Sequence, residues 1–337
     1  VTPDISLDVM SGGQTLASLS ARLFSAVDEL LEKESPDIVL VQGDTTTVQV
    51  TALCAFYRRI KVGHVEAGLR SGNMLSPFPE ELNRRIAGLV ASWHFAPTQL
   101  SANNLLAEGV DEKNILISGN TVIDSLLLMR DIVSTTPPEL PAEIADVINC
   151  GHRIILVTGH RRESFGDGFQ QMCEAVLELA NRFEDVRIVY PVHLNPNVQS
   201  VVKNMLGGHP RIILTSPLSY KPFVYLMNKS YFILSDSGGI QEEGPSLGKP
   251  VLVRREVTER PEGIEAGVNM LVGTDKRKIV EEASRLLLDE VAHRSMASQK
   301  NPYGNGHAGE YIADFLMKRY SPKFGQVCKL HQNEGDA

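Results

Sequence analysis

Short apolar runs alternate with longer stretches whose apolar residues fall three and four positions apart, and this alternation organises most of the chain. Leu16, Leu19, Leu23, Val27 and Leu30 share one face of a helix spanning residues 14–33, because apolar residues at that spacing form a single stripe. Pro36-Asp37 stops the helix, and the β-branched run at 38–41 predicts a buried strand. The same reading gives helices at 46–59, 80–90 and 101–108 and strands at 62–65, 93–96 and 115–118. After the Pro-rich, linker-like stretch 135–141, further strands are predicted at 153–157, 187–190, 211–214, 231–234 and 250–253, with helices between them. A last helical run at about 309–320 is placed to fold back on the first half.

Strands alternating with amphipathic helices predict parallel sheets and an α/β protein. The expectation is two doubly wound Rossmann-like domains with an interdomain cleft: residues 1–125, residues 126–308, and a polar tail at 321–337. A chain of 337 residues is long enough for two such domains. Ligands in these sheets bind outside the carboxyl ends of the strands. That rule makes the loops following strands the place to look for chemistry.

Composition narrows the partners. A formal net charge of −8 argues against nucleic acid or an anionic membrane surface as partner. Cys54, Cys150, Cys173 and Cys328 are far apart, with no Cys-x-x-Cys pair, which suits reduced thiols and a cytoplasmic location better than a disulfide framework. No apolar run is long enough to span a bilayer. The spacing of His, Asp and Glu matches no metal motif, so neither a metal nor a cofactor is expected.

The most informative segment is 231–253. An apolar strand runs into Asp236-Ser237-Gly238-Gly239, and a short helix bearing Gln241, Glu242 and Glu243 follows. A helix start with small, Cβ-poor residues leaves backbone N–H groups facing outward, and the helix dipole favours an anion there. Glycine lets the backbone approach a diphosphate closely. Glu243, further along the same helix, is placed to accept hydrogen bonds from a ribose diol. An ordinary strand-to-helix turn with exposed acids is the plainer alternative.

Polar groups also cluster after other strands. Gly43-Asp44-Thr45 follows the first strand, His64-Val65-Glu66 ends the second, Gly159-His160-Arg161-Arg162-Glu163 follows the fifth, and Pro191-Val192-His193 follows the sixth. Each has a simpler explanation. Asp44 is placed to cap the helix that follows it. Glu66, in an apolar stretch, needs a partner or a function, and Arg70 would serve as a salt-bridge partner. Glu80 and Glu81 open a helix and suit its dipole, and Arg84 lies one turn beyond Glu80. His193 fits a structural role as well as a ligand contact.

Taken together these segments resemble the bacterial non-hydrolysing UDP-N-acetylglucosamine 2-epimerases. The markers are Gly43-Asp44-Thr45-Thr46-Thr47, His64-Val65-Glu66-Ala67-Gly68-Leu69-Arg70, Pro79-Glu80-Glu81, His160-Arg161-Arg162-Glu163, Asp236-Ser237-Gly238-Gly239, Thr258-Glu259-Arg260-Pro261-Glu262 and Asn301-Pro302-Tyr303-Gly304. The resemblance implies a GT-B-like fold and reversible C2 epimerisation of UDP-GlcNAc to UDP-ManNAc. The implied route is elimination of UDP to a 2-acetamidoglucal and re-addition, serving cell-surface polysaccharide synthesis. It implies Asp44, Glu66, Glu80 and His160 as catalytic groups, and Arg84, Phe223, Ser237, Gly238, Gly239, Glu243 and Arg260 as substrate contacts. Gln14, Arg161 and His193 fall where some members bind a second, activating UDP-GlcNAc, and a homodimer is implied. Family members begin with a strand and a Gly-Thr-Arg-Pro-Glu loop not found here, so a segment of roughly 30–50 residues, about one βα unit or more, is expected to be missing. The alternatives are a GT-B glycosyltransferase using a UDP-sugar, or a shortened chain that binds UDP without turnover. Gly244, where the family pattern suggests Ala, reads as a helix-propensity cost of about 1 kcal/mol.

Overall fold

Strand residues in this chain are apolar on both faces, which is stable only where helices cover both sides of a sheet. The computed structural model, which describes residues 2–159 and 167–319, shows that arrangement twice. The strands are β1 (Ile38–Gln42), β2 (Lys61–Val65), β3 (Trp93–Ala96), β4 (Ile115–Ile117), β5 (Arg153–Thr158), β6 (Val186–Pro191), β7 (Ile212–Thr215), β8 (Phe232–Ser235), β9 (Val251–Val253) and β10 (Asn269–Leu271). Every ladder between them is parallel. The protein is α/β, with two Rossmann-like units.

The first unit holds residues up to Thr121 together with those from His307 onward. Its sheet has the order β1-β2-β3-β4. The helix Leu16–Glu34 is capped by Thr15, whose hydroxyl accepts from the Ser18 N–H, and it ends where Ser35 turns left-handed. Its buried stripe of Leu23, Val27 and Leu31 meets Val48, Ala52 and Ala55 of the helix Thr46–Tyr57 and Val41 of β1 in one core. Residues 308–319 form a helix. Its Ile312, Phe315 and Leu316 pack with Val65 and Phe95 of this unit, and the Phe95 and Phe315 rings meet edge to face at 5.5 Å.

The second unit runs from Val122 to Gly306. Its order β10-β9-β8-β5-β6-β7 is the doubly wound dinucleotide-fold arrangement, with the direction of winding reversing between β5 and β8. The register there pairs Thr158 with Ser235, so both strands deliver their last residues to the same edge. The Pro-rich stretch after Thr135 falls inside this unit, between the helices Thr121–Thr135 and Ala142–Asn149, with Leu140 packed on its core. Composition marks that stretch as a linker, but tertiary packing makes it a connection within one unit. Residues 320–337, most of them assigned from sequence to a polar tail, lie outside the described residues.

Gly244 is set by packing, not by propensity. A Cβ at this position would lie 2.6 Å from Val251 Cγ2 and 3.1 Å from Ile233 Cδ1. The helix Gly238–Ser246 presses there against β8 and β9, and a branched side chain on a strand has little room to yield. Gly244→Ala is therefore expected to destabilise the protein by about 1–3 kcal/mol, seen as a lowered Tm, instead of returning the helix-propensity gain.

Candidate active site

β1 and β2 are parallel neighbours, so the loops after them emerge side by side. Asp44 comes two residues after β1, and Glu66 comes immediately after β2. Gly43 turns with φ 80°, and a Cβ on it would lie 3.6 Å from Glu66 Oε2. The Glu66 carboxylate thus lies against the turn that carries Asp44. Glu66 itself sits at φ 63°, a left-handed conformation that costs a side-chain-bearing residue about 1–2 kcal/mol. Such strain in a native fold concentrates at functional positions.

Asp44 does not cap the following helix. Thr45 does, its hydroxyl accepting from the Val48 N–H. The Asp44 carboxylate instead accepts from Arg84 Nη2 at 2.6 Å, while Asn83 Nδ2 donates to the Asp44 carbonyl at 2.9 Å. Both partners stand on the helix Glu80–Val90, whose first turn carries Glu80 and Glu81. Glu81 is fully buried. It accepts from the Ser71 N–H and from Arg85, and lies 3.4 Å from Arg84. Glu80 is half-buried. The expected pair of Glu80 with Arg84 gives way to the Asp44 contact.

The remaining markers after β2 hold this arrangement in place. His64 is buried, and its Nε2 lies 2.8 Å from the Gly43 carbonyl. Burial pushes its imidazole down to about 4, so at neutral pH the ring is uncharged and Nε2–H donates to that carbonyl. Gly68 has φ 88°, and a Cβ there would collide with the Ser101 carbonyl at 2.2 Å, so glycine is required. Arg70 forks onto Glu108 at 2.7 and 2.6 Å.

In the second unit, the site forms where the winding reverses. Thr158 Oγ1 and Ser235 Oγ meet at 2.6 Å across β5 and β8. Ser235 Oγ also accepts from the Ser237 N–H at 3.0 Å, shaping the turn into the helix Gly238–Ser246. Ser237 is the N-cap residue but its side chain makes no capping bond, which leaves the first-turn N–H groups for an anion. Arg260 lies over this turn. A Cβ on Gly238 would lie 2.6 Å from Arg260 Nη1, and Arg260 Nε donates to Glu242 at 2.5 Å. Thr258 donates to the buried Gln241, and Asn301 donates to the Glu242 carbonyl and to Ser246. Tyr303 donates to the Arg260 carbonyl and accepts from the Gly263 N–H. The Thr258–Glu262 and Asn301–Gly304 segments thus brace one short helix and the arginine above it.

Burial and the neighbouring Glu242 raise Glu243 to about 7. Glu243 in turn helps burial push the Tyr220 hydroxyl up to about 12, so Tyr220 faces it. Phe223 lies one turn further along the helix Tyr220–Lys229, against the core.

Of the other expected residues, Gln14 bonds locally, accepting from the Ser11 N–H and from Arg22. His193 Nδ1 accepts from the Asn195 N–H at 3.1 Å. His160 and Arg161, with Arg162 and Glu163, lie outside the described residues. Sequence reasoning missed Tyr220 and the buried Arg254, and it gave His64 no role beyond its place in the marker. Only Tyr220 carried a signal, as an aromatic three positions before Phe223 at a helix start.

Residues 1–317 match the family model for UDP-N-acetylglucosamine 2-epimerase. The UDP-N-acetylglucosamine 2-epimerase of Yersinia pestis is 52% identical over 319 residues, covering 94% of this chain and 85% of the relative. That of Escherichia coli K12 is 52% identical with the same coverage. The crystal structure of the Neisseria meningitidis UDP-GlcNAc 2-epimerase bound to UDP-GlcNAc superposes with a TM-score of 0.86 at 43% identity, covering 94% of this chain and 86% of that one.

Proposed function

Because the chain belongs to the UDP-N-acetylglucosamine 2-epimerase family of isomerases, we propose that it interconverts UDP-GlcNAc and UDP-ManNAc by eliminating and re-adding UDP. In the forward direction a base takes the C2 proton, the C1–O bond to the diphosphate breaks, and the electron pair forms the C1–C2 double bond of a 2-acetamidoglucal. Re-addition of UDP with a proton delivered to the opposite face of C2 completes a redox-neutral cycle. The product supplies ManNAc units for cell-surface polysaccharide.

The observation that carries this reading is the pair of carboxylates at the adjoining carboxyl ends of β1 and β2. The C2 proton sits on the carbon that bears the acetamido nitrogen, with no adjacent carbonyl to acidify it, so a positioned base is needed. Asp44, Glu66, Glu80 and His160 form the acid/base set, and Arg84 holds Asp44 in place. The leaving diphosphate gains negative charge, which the Ser237–Gly238–Gly239 N–H groups and Arg260 stabilise more in the transition state than in the ground state. Glu243 receives the ribose hydroxyls, and Phe223 together with Tyr220 borders the uracil. Gln14, Arg161 and His193 serve a second, activating UDP-GlcNAc.

Incubation with UDP-GlcNAc in heavy water tests the chemistry. Deuterium at C2 of both the recovered UDP-GlcNAc and the UDP-ManNAc is the expected result. Release of UDP that requires an added sugar acceptor, with no deuterium at C2, would instead identify a glycosyltransferase.

A further inference from the structure

Beneath the Ser237 turn lies an ion pair to which no step above assigns a role. Arg254, which follows β9, is 1% exposed, and Asp236, which follows β8, is fully buried. Arg254 Nη2 donates to Asp236 Oδ2 at 2.7 Å. The Arg254 backbone N–H donates to the Ser235 carbonyl at 2.8 Å, so the arginine is anchored to the strand that feeds the turn. Its guanidinium lies 5.5 Å from the Phe169 ring centroid. It also lies under Gly159 at the end of β5, where a Cβ would come within 2.8 Å of Nη2 and 3.5 Å of the Asp236 carboxylate. The pair therefore sits where β5, β8 and β9 end, directly before the residues that face the diphosphate. Arg254 Nη1 is buried with no hydrogen-bond partner among the described residues, so the guanidinium is not fully used by the fold.

A carboxylate at 236 stripped of the Arg254 charge would oppose binding of an anion one and two residues further along the chain. Charges in a buried site are poorly screened. We propose that Arg254 is a positioning residue of the anion-binding turn, cancelling the Asp236 charge so that a diphosphate can dock on the Ser237–Gly239 amides. The inference rests on reading that turn as the diphosphate site. It goes beyond that reading by assigning affinity to a side chain that need not touch the ligand.

The test uses UDP as the probe, with Kd measured by calorimetry and Tm recorded for each variant. Arg254→Met removes the cation that meets the Asp236 carboxylate and is expected to weaken UDP by about tenfold or more. Asp236→Asn leaves the cation uncompensated and is expected to tighten UDP several-fold, even while its Tm falls. Arg254→Met combined with Asp236→Asn removes both charges and is expected to return Kd to within about threefold of the starting protein. A merely structural pair would weaken UDP in both single variants, because each damages the turn. Weaker or unchanged binding in Asp236→Asn overturns the proposal, and it does so even if Arg254→Met fails to fold. If the unaltered protein shows no UDP binding, the reading of the turn is overturned, and this inference with it.

Discussion

Glu66→Gln is expected to lower kcat for C2 epimerisation by about 10²–10⁴-fold, the usual worth of a positioned general acid or base. KM for UDP-GlcNAc should stay within about threefold, because an interaction used only in proton transfer is absent from the bound ground state. The backbone argues for this variant over a larger change. Glu66 is held at φ 63°, and Gln keeps both the size and the strain of the original residue. The fold should therefore survive, and loss of activity cannot be ascribed to unfolding. Deuterium incorporation at C2 should fall in parallel with epimerisation, since both require the same broken C–H bond. Asp44→Asn should reduce kcat to a similar extent but also lower Tm, because Arg84, 5% exposed, loses the carboxylate that it meets at 2.6 Å. Near-normal exchange at C2 in both variants would remove this carboxylate pair from the chemistry.

The second large effect is a loss of stability in mild acid confined to the first unit. His64 and His94 are register partners on β2 and β3, and burial pushes each down to about 4. Each also stands near the Arg70 guanidinium, which opposes a positive ring, and His64 further opposes a charge on His94. In the unfolded chain a histidine takes up a proton near pH 6.5. Between pH 6.5 and 4 the unfolded state therefore binds protons that the native state refuses. Stability is complete above about 6.5, declines as pH falls, and stops declining below about 4. By pH 5 the loss is about 2 kcal/mol per histidine. Glu243 in the second unit works in the opposite direction. Its pKa, raised to about 7, gives a contribution present below 4.5 that is lost as pH rises through 7. A global probe would mix the two. The chain's one tryptophan, Trp93, stands beside His94 in the first unit. Urea unfolding followed by its fluorescence should show a clearly lower midpoint at pH 5 than at pH 7.5. His94→Gln should remove about half of that difference, and an unchanged midpoint in the unaltered protein would show that the buried imidazoles do not control acid stability.

What the sequence discloses is what depends on neighbours in the chain. The strands from β1 to β9 are legible because their apolar runs end at glycine, proline or polar residues. The placement of Asp44, Glu66 and Ser237 just past parallel strands is legible because each follows an apolar run directly in sequence. The three-residue β10 escapes because its Asn269 breaks the apolar pattern, and that asparagine is there to donate to the Gln241 carbonyl at 2.9 Å. Arg254 escapes because its partner Asp236 follows a different strand, and spacing alone cannot pair them. Gly244 is misread for the same reason: helix propensity is local, whereas Val251 and Ile233 arrive from other strands. The inert parts of the markers are equally hidden. His64 and Arg70 sit beside Glu66 in one motif, yet one holds the Gly43 carbonyl and the other holds Glu108.

The first unit is assembled from two separated stretches of chain, with residues 308–319 supplying Ile312 and Phe315 against Val65 and Phe95. On the ribosome that closing helix leaves the exit tunnel only after the whole of Val122–Gly306 has been translated. At about 5–20 residues per second, the nascent amino-terminal sheet must wait for many seconds with its Phe95 surface uncovered. The later-made unit has all its strands in hand before the earlier one can finish, so the order of completion is the reverse of the order of synthesis.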